Sequence, residues 1–141
     1  MYRIYKVLKL AADWYPDKKF AHAMRVAAYA TDQPLLEDDP EFLESVFIVG
    51  LLHDIIEDTK FTLEELYKCS YVYQDEYDAI EILTHHKEDC SYEDYIKQIV
   101  DSKSQLALLV KRADMKDHLM QQETLSAKLK EKYYPVIKYL L

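Results

Sequence analysis

Residues 46 to 52, VFIVGLL, form the longest apolar run of the chain, and LLHDIIEDT follows on directly with His53, Asp54, Glu57 and Asp58. A helix apolar on every side is buried all round, so these residues require a central helix with others packed about it. Burying unpaired charge at its end costs several kcal/mol or more, on the order of the whole stability of a small domain. The cluster therefore needs a partner, and a metal ion is the natural one.

The rest of the chain points to helices. Gly occurs once, at Gly50, and Pro only at positions 16, 34, 40 and 135, whereas sheets joined by tight turns use Gly-rich connections. With 141 residues, a single all-α domain over 1–141 is expected, a compact multi-helix bundle with one core. Asp39 before Pro40 reads as an N-cap with Pro in the first helical position, Thr62 with Glu65 as a capping box, and Ser91 with Asp94 as a weaker one. These signals predict helices at about 2–15, 18–31, 40–57, 62–69, 74–86, 91–101, 103–119 and 121–140. The polar stretch 31–40, TDQPLLEDDP, separates helices, and the last helix, with Leu125, Leu129, Tyr133, Val136 and Leu140 on one stripe, reads as a packing helix.

A net charge of -8 without any block of basic residues argues against a nucleic-acid partner, since such binding relies on clustered Lys and Arg. The apolar run is far short of the roughly 20 residues that span a bilayer, and the N-terminal stretch mixes Lys and Arg into its apolar positions. Cys69 and Cys90 lack CxxC spacing, so reduced thiols in a cytoplasmic protein are expected.

Three stretches carry candidate chemistry. On a continuous helix His53, Asp54 and Glu57 share a sector about 100° wide, and Asp58 neighbours Asp54 one turn on. In QLALLVKRADMKDHL, Leu106, Leu109, Val110 and Ala113 mark a core stripe with Asp114 at its edge; His118 follows on the same face, with Asp117 a nearby alternative. From this helix alone, Asp114 is equally a ligand or a surface acid beside Lys111 and Lys116. His22 lies among Ala21, Ala23, Ala27 and Ala28, small residues that allow a neighbouring helix close approach. A His, a His-Asp pair and an Asp on separate helices would make a mixed nitrogen and oxygen set, suited to manganese, iron or zinc rather than magnesium or calcium. His85 and His86, adjacent on the chain, point about 100° apart on a helix and cannot both face one ion. Half-buried packing is the use expected of the thirteen tyrosines.

The order His, His-Asp, Asp on successive long helices resembles the HD-domain metal-dependent phosphohydrolases. Within them, LLHDIIEDT with LLVKRADMKDHL is similar to the (p)ppGpp hydrolase domains of the RelA/SpoT type and their small single-domain relatives. The resemblance implies His22, His53, Asp54 and Asp114 as metal ligands, with manganese the usual ion and Fe2+ or Zn2+ as alternatives. It implies Glu57 and Asp58 as the acidic pair that orients or activates the attacking water. The implied substrate is a small phosphorylated nucleotide, best (p)ppGpp cleaved at its 3′-pyrophosphate; other nucleotides or small phosphoesters, and a non-catalytic metal- or nucleotide-binding module, are the alternatives. The chain departs from the family at His118, where the relatives commonly carry Asn, and at DWYPDKKFAH, shorter than their basic loop. Lys18, Lys19, Arg25 and His118 are the expected substrate contacts.

Overall fold

The computed structural model describes residues 2–36, 38–121 and 123–141. It is all-helical, with no strand among the described residues: α1 (Tyr2–Trp14), α2 (Asp17–Thr31), a 3-10 turn (Pro34–Leu36), α3 (Pro40–Leu52), α4 (Ile55–Asp58), α5 (Leu63–Tyr67), α6 (Gln74–Leu83), α7 (Tyr92–Asp101), α8 (Gln105–Met120), α9 (Ala127–Tyr133), a second 3-10 turn (Tyr134–Val136) and α10 (Ile137–Leu140). Among the described residues no helix is long and apolar enough to cross a membrane.

The apolar run forms the centre. α3 packs against α1, α2, α6 and α8, and Val46, Ile48, Val49, Leu51 and Leu52 are fully buried. The alanines of α2 do what their size permits: Ala23 and Ala27 are fully buried, and a Cβ added to Gly50 of α3 would come 2.8 Å from Ala27 Cα. Gly50 is thus a point of backbone-to-backbone approach that a side chain would prevent. The same core holds a fully buried acid, Glu76, which accepts from Arg3 Nη1 at 2.7 Å, Ser45 Oγ at 2.7 Å and the Tyr73 backbone N–H at 2.8 Å. This one carboxylate ties α1, α3 and the start of α6, and with Arg3 Nη2 at 3.0 Å its lone pairs are all used.

The caps fall where the sequence puts them. Asp39 Oδ1 accepts from Phe42 N at 3.1 Å, Thr62 and Glu65 exchange both capping-box bonds, and Ser91 accepts from Asp94 N at 3.1 Å. Three expected helices end differently. The helix expected over 40–57 breaks at His53 and Asp54, where Asp54 has φ -108° and ψ 3°. Two carbonyls of the last turn of α3 accept from side chains, Gly50 O from His53 Nδ1 at 2.7 Å and Leu51 O from Tyr15 Oη at 2.9 Å, which completes helix-end acceptors without continuing the helix. The helix expected to reach 86 stops at Leu83, and the His85 N–H instead donates to Glu57 Oε1 at 2.5 Å. The helix expected over 121–140 starts at Ala127 on a Ser126 cap and tightens to a 3-10 turn around Pro135, since proline cannot donate to the preceding turn. Gln122, within that expected helix, and Glu37, within the expected connection 31–40, lie outside the described residues.

Candidate metal centre

His22 from α2, His53 and Asp54 from the α3–α4 break and Asp114 from α8 converge, each offering a ligand atom within 4.8 Å of the others. His22 Nε2 lies 2.9 Å from Asp114 Oδ1 and 3.6 Å from Asp54 Oδ2. His53 Nε2 lies 3.1 Å from Asp54 Oδ2 and 3.4 Å from Asp114 Oδ1. The break explains how neighbours in sequence meet: on a straight helix His53 and Asp54 point about 100° apart, whereas the turn at Asp54 brings its carboxylate back under the His53 ring. A continuous helix would have kept them apart, so the sector expected from helical geometry is replaced by a tighter convergence.

The ring tautomers suit a cation. Gly50 O can only accept, so His53 Nδ1 carries the proton bonded to it and neutral Nε2 presents a lone pair. Nε2 is buried with no hydrogen-bond partner among the described residues. A lone pair facing two carboxylate oxygens is repulsive unless a positive charge lies between them. His22 is oriented the same way, its Nδ1 2.6 Å from Asp117 Oδ2, and Asp117 is in turn held by Arg25 at 2.7 and 3.1 Å. A carboxylate behind a ligating imidazole fixes the ring and raises its basicity.

Protons take the place of the cation when no ion is present. Burial alone would lower His22, but hydrogen bonds with Asp114 and Asp54 outweigh it and lift the imidazole to about 9. Burial likewise opposes charge on His53, yet Asp54 and Asp114 hold it well above its ordinary value. Against the penalty of burial, His53 and His22 hold Asp54 far below the carboxylate range. Lys111, with His118 and the other two imidazoles, does the same for Asp114. Two imidazoles, one of them with an unpartnered buried nitrogen, and two carboxylates form a set that could hold a metal ion.

A cavity of about 160 Å³ opens beside this group, lined among others by Asp54, Glu57, Asp58, Asp114 and His118. It shares Glu57, Asp58, His85 and Lys87 with the lining of a neighbouring, outer cavity of about 390 Å³. Glu57 and Asp58 are both raised, each mainly by burial, with Asp54 adding to the effect on both. His118 stacks on Tyr133, ring centroids 5.0 Å apart, and puts Nε2 3.1 Å from Asp114 Oδ1.

The four expected substrate contacts divide. Lys19 and His118 line the cavity, Lys19 3.6 Å from Asp58. Lys18 is exposed and not among the lining residues, and Arg25 is committed to Asp117. In their place the cavity receives residues that sequence reasoning had assigned elsewhere. Lys111, treated as a surface neighbour of Asp114, is buried 2.7 Å from Asp114 Oδ2. Lys132 and Tyr133 come from the helix read only for packing, and His85, Tyr92 and Tyr95 complete the wall. The i,i+3 spacing of Lys111 and Asp114 was a readable signal for their pairing; nothing local marks Lys132.

No protein-family model matches this chain, and no curated protein matches it at a significant level.

Proposed function

We propose that this chain is a divalent-metal-dependent phosphohydrolase of the HD type, acting on a small phosphorylated nucleotide, with (p)ppGpp and hydrolysis of its 3′-pyrophosphate as the leading candidate. The observation that carries the reading is the convergence of His22, His53, Asp54 and Asp114 around an unpartnered imidazole nitrogen. Manganese is the proposed ion, with Fe2+ or Zn2+ as alternatives, because a mixed imidazole and carboxylate set suits these better than all-oxygen cations. Such an ion, when bound, supplies polarisation of a phosphoryl oxygen and acidification of water.

The remaining work falls to the chain. Glu57 is the proposed proton acceptor for a water attacking phosphorus: it lines the cavity, and the His85 N–H fixes one of its oxygens at 2.5 Å. Its raised pKa brings it nearer the pH at which a general base is effective. Asp58, one residue on and steadied by Lys19 at 3.6 Å, would orient that water. The inner cavity suits a phosphoryl group, and the outer one provides room for the rest of a nucleotide.

The test is product release from ppGpp and a panel of nucleoside phosphates, with and without manganese, by the native protein and Asp54→Ala. Manganese-dependent release of pyrophosphate from ppGpp, abolished in the variant, supports the proposal. Release from other phosphoesters alone would keep the chemistry and change the substrate. Uptake of about one ion per chain with no product from any compound would refute catalysis and leave a binding module.

A further inference from the structure

The inner cavity is lined by four carboxylates, Asp54, Glu57, Asp58 and Asp114, and by four lysines, Lys19, Lys87, Lys111 and Lys132. In a chain of net charge -8, four lysines against four carboxylates make this lining locally balanced where the chain as a whole is acidic. They are not equivalent. Lys19 and Lys111 each have a carboxylate, Asp58 at 3.6 Å and Asp114 at 2.7 Å. Lys87 and Lys132 have no carboxylate within 4 Å among the described residues.

Their surroundings bring two of the lysines to one aromatic wall. Lys111 Nζ lies 5.4 Å from the Tyr92 ring centre and 5.0 Å from that of Tyr95, and Lys132 Nζ comes over the other part of the same wall, 4.6 Å from Tyr92 and 5.6 Å from Tyr133. Tyr92 thus lies against both ammonium groups, and its electron-rich face offsets part of their charge. Burial, then Lys87 and Lys111, lowers Lys132 from its ordinary value, and Glu57 and Asp114 offset this only in part. Three lysines from α8, α9 and the 84–91 connection therefore face one small volume, next to the oxygen of Asp114 that does not face the imidazoles. The chain holds them together against their mutual repulsion, and an anion entering the volume would relieve it.

We infer that Lys87, Lys111 and Lys132 form an oxyanion subsite of the inner cavity that takes a phosphate group. The inference rests on the phosphohydrolase reading for the use of the cavity, but its residues are separate from the metal set and it holds without the ion. The lysine wall, rather than the Lys18 and Arg25 end of α2, is where the anionic part of a ligand docks. Lys111, pinned by Asp114, links the subsite to the metal group; Lys87 and Lys132, both exposed at the cavity rim, close over the phosphate from outside.

The experiment is calorimetric titration of inorganic phosphate into chelator-treated native protein and into Lys132→Gln, Lys87→Gln and Lys128→Gln. Lys128 is exposed on the same helix as Lys132 and outside the cavity, so its variant reports the effect of net charge alone. The expected result is saturable phosphate binding, weakened about tenfold in each of Lys132→Gln and Lys87→Gln, and little changed in Lys128→Gln. Equal weakening in all three, or no binding by the native protein, overturns the subsite. Manganese titration of the same proteins keeps the two readings apart. Normal manganese uptake with phosphate binding indifferent to Lys87 and Lys132 sinks the subsite alone. Absence of manganese uptake with lysine-dependent phosphate binding supports the subsite and removes the metallohydrolase.

Discussion

Gly50→Ala tests whether the α2–α3 contact sets the geometry of the metal group. The new Cβ would sit 2.8 Å from Ala27 Cα and 3.2 Å from Ala27 Cβ and N. Carbon atoms pack best about 3.5–4.0 Å apart, so relief requires the helices to part by roughly 0.7–1.2 Å, and because the nearest atom is backbone no side-chain rotation can supply it. Two terms oppose each other. Alanine is favoured over glycine in a helix by about 0.8–1.0 kcal/mol, whereas overpacking a tight core costs about 1–3 kcal/mol. With a contact under 3 Å against backbone between fully buried helix faces, the second term lies toward its upper end, and a net loss of about 1–2 kcal/mol is expected.

For a chain of this length that loss lowers Tm by about 2–8 °C, read by thermal and urea unfolding in the presence of chelator. The metal readout is the sharper one. His22 stands on α2 five residues before Ala27, and His53 follows Gly50 by three, so separating the helices separates the two imidazoles. Ligand distances in a metal site tolerate only about 0.2 Å, so manganese affinity should fall as well. Ile99→Val, in a fully buried residue on α7, is the control: it should lose about 0.5–1.5 kcal/mol and leave manganese affinity unchanged. A Gly50→Ala protein as stable as the native one, with equal manganese affinity, would refute the close-approach argument.

Other outcomes follow from the same geometry. A manganese concentration about a hundredfold above Kd should stabilise the native protein by about 2.7 kcal/mol, seen by calorimetry as a rise of about 5–10 °C in Tm and absent in Asp54→Ala. In the metal-free protein, His22 lifted from 6.5 to about 9 binds its proton more tightly folded than unfolded. That contribution to stability is complete below pH 6.5 and lost as pH rises through about 9, so the Tm in chelator should fall across this window. Manganese must displace the same proton, so its affinity should rise over that window while protons appear in the titration. Asp117→Asn, which removes the carboxylate behind His22 Nδ1, should weaken manganese binding about 10–100-fold; unchanged affinity would show that Asp117 serves only to pair Arg25. Glu57→Gln should abolish turnover while keeping manganese uptake, and a variant that turns over normally would remove Glu57 from the proposed chemistry.

What could be read from the sequence was what local patterns carry. VFIVGLL marks α3 as central because its apolar character has no polar face, and Asp39, Thr62 and Ser91 mark helix starts because a cap is a contact of two or three residues. The alanines around His22 show that α2 would be closely approached, and Gly50 supplies the other half of that contact. His22, His53, Asp54 and Asp114 stand out because each places a metal-competent group beside buried positions. The break at His53 was hidden for the opposite reason: IIEDT continues a good helical pattern, and the end of α3 is completed by one distant contact, Tyr15 reaching Leu51 O, together with the His53 ring turning onto Gly50 O.

That break shows where local and tertiary information part. Helical geometry alone aims His53 and Asp54 in different directions, so a straight α3 would offer an ion one of them at a time. The chain reaches convergence by giving up one helical step at the place where the core ends, and the buried carbonyls so exposed are answered by side chains from α1 and from the metal group itself. The lysine wall has the same origin. Lys132 sits on a helix whose pattern describes packing, and it lines the cavity beside Tyr133, whose ring stacks on His118 of α8. The candidate site is written in the sequence as residues that could hold an ion and in the fold as the lysines gathered beside them, which is why the first set is easier to read than the second.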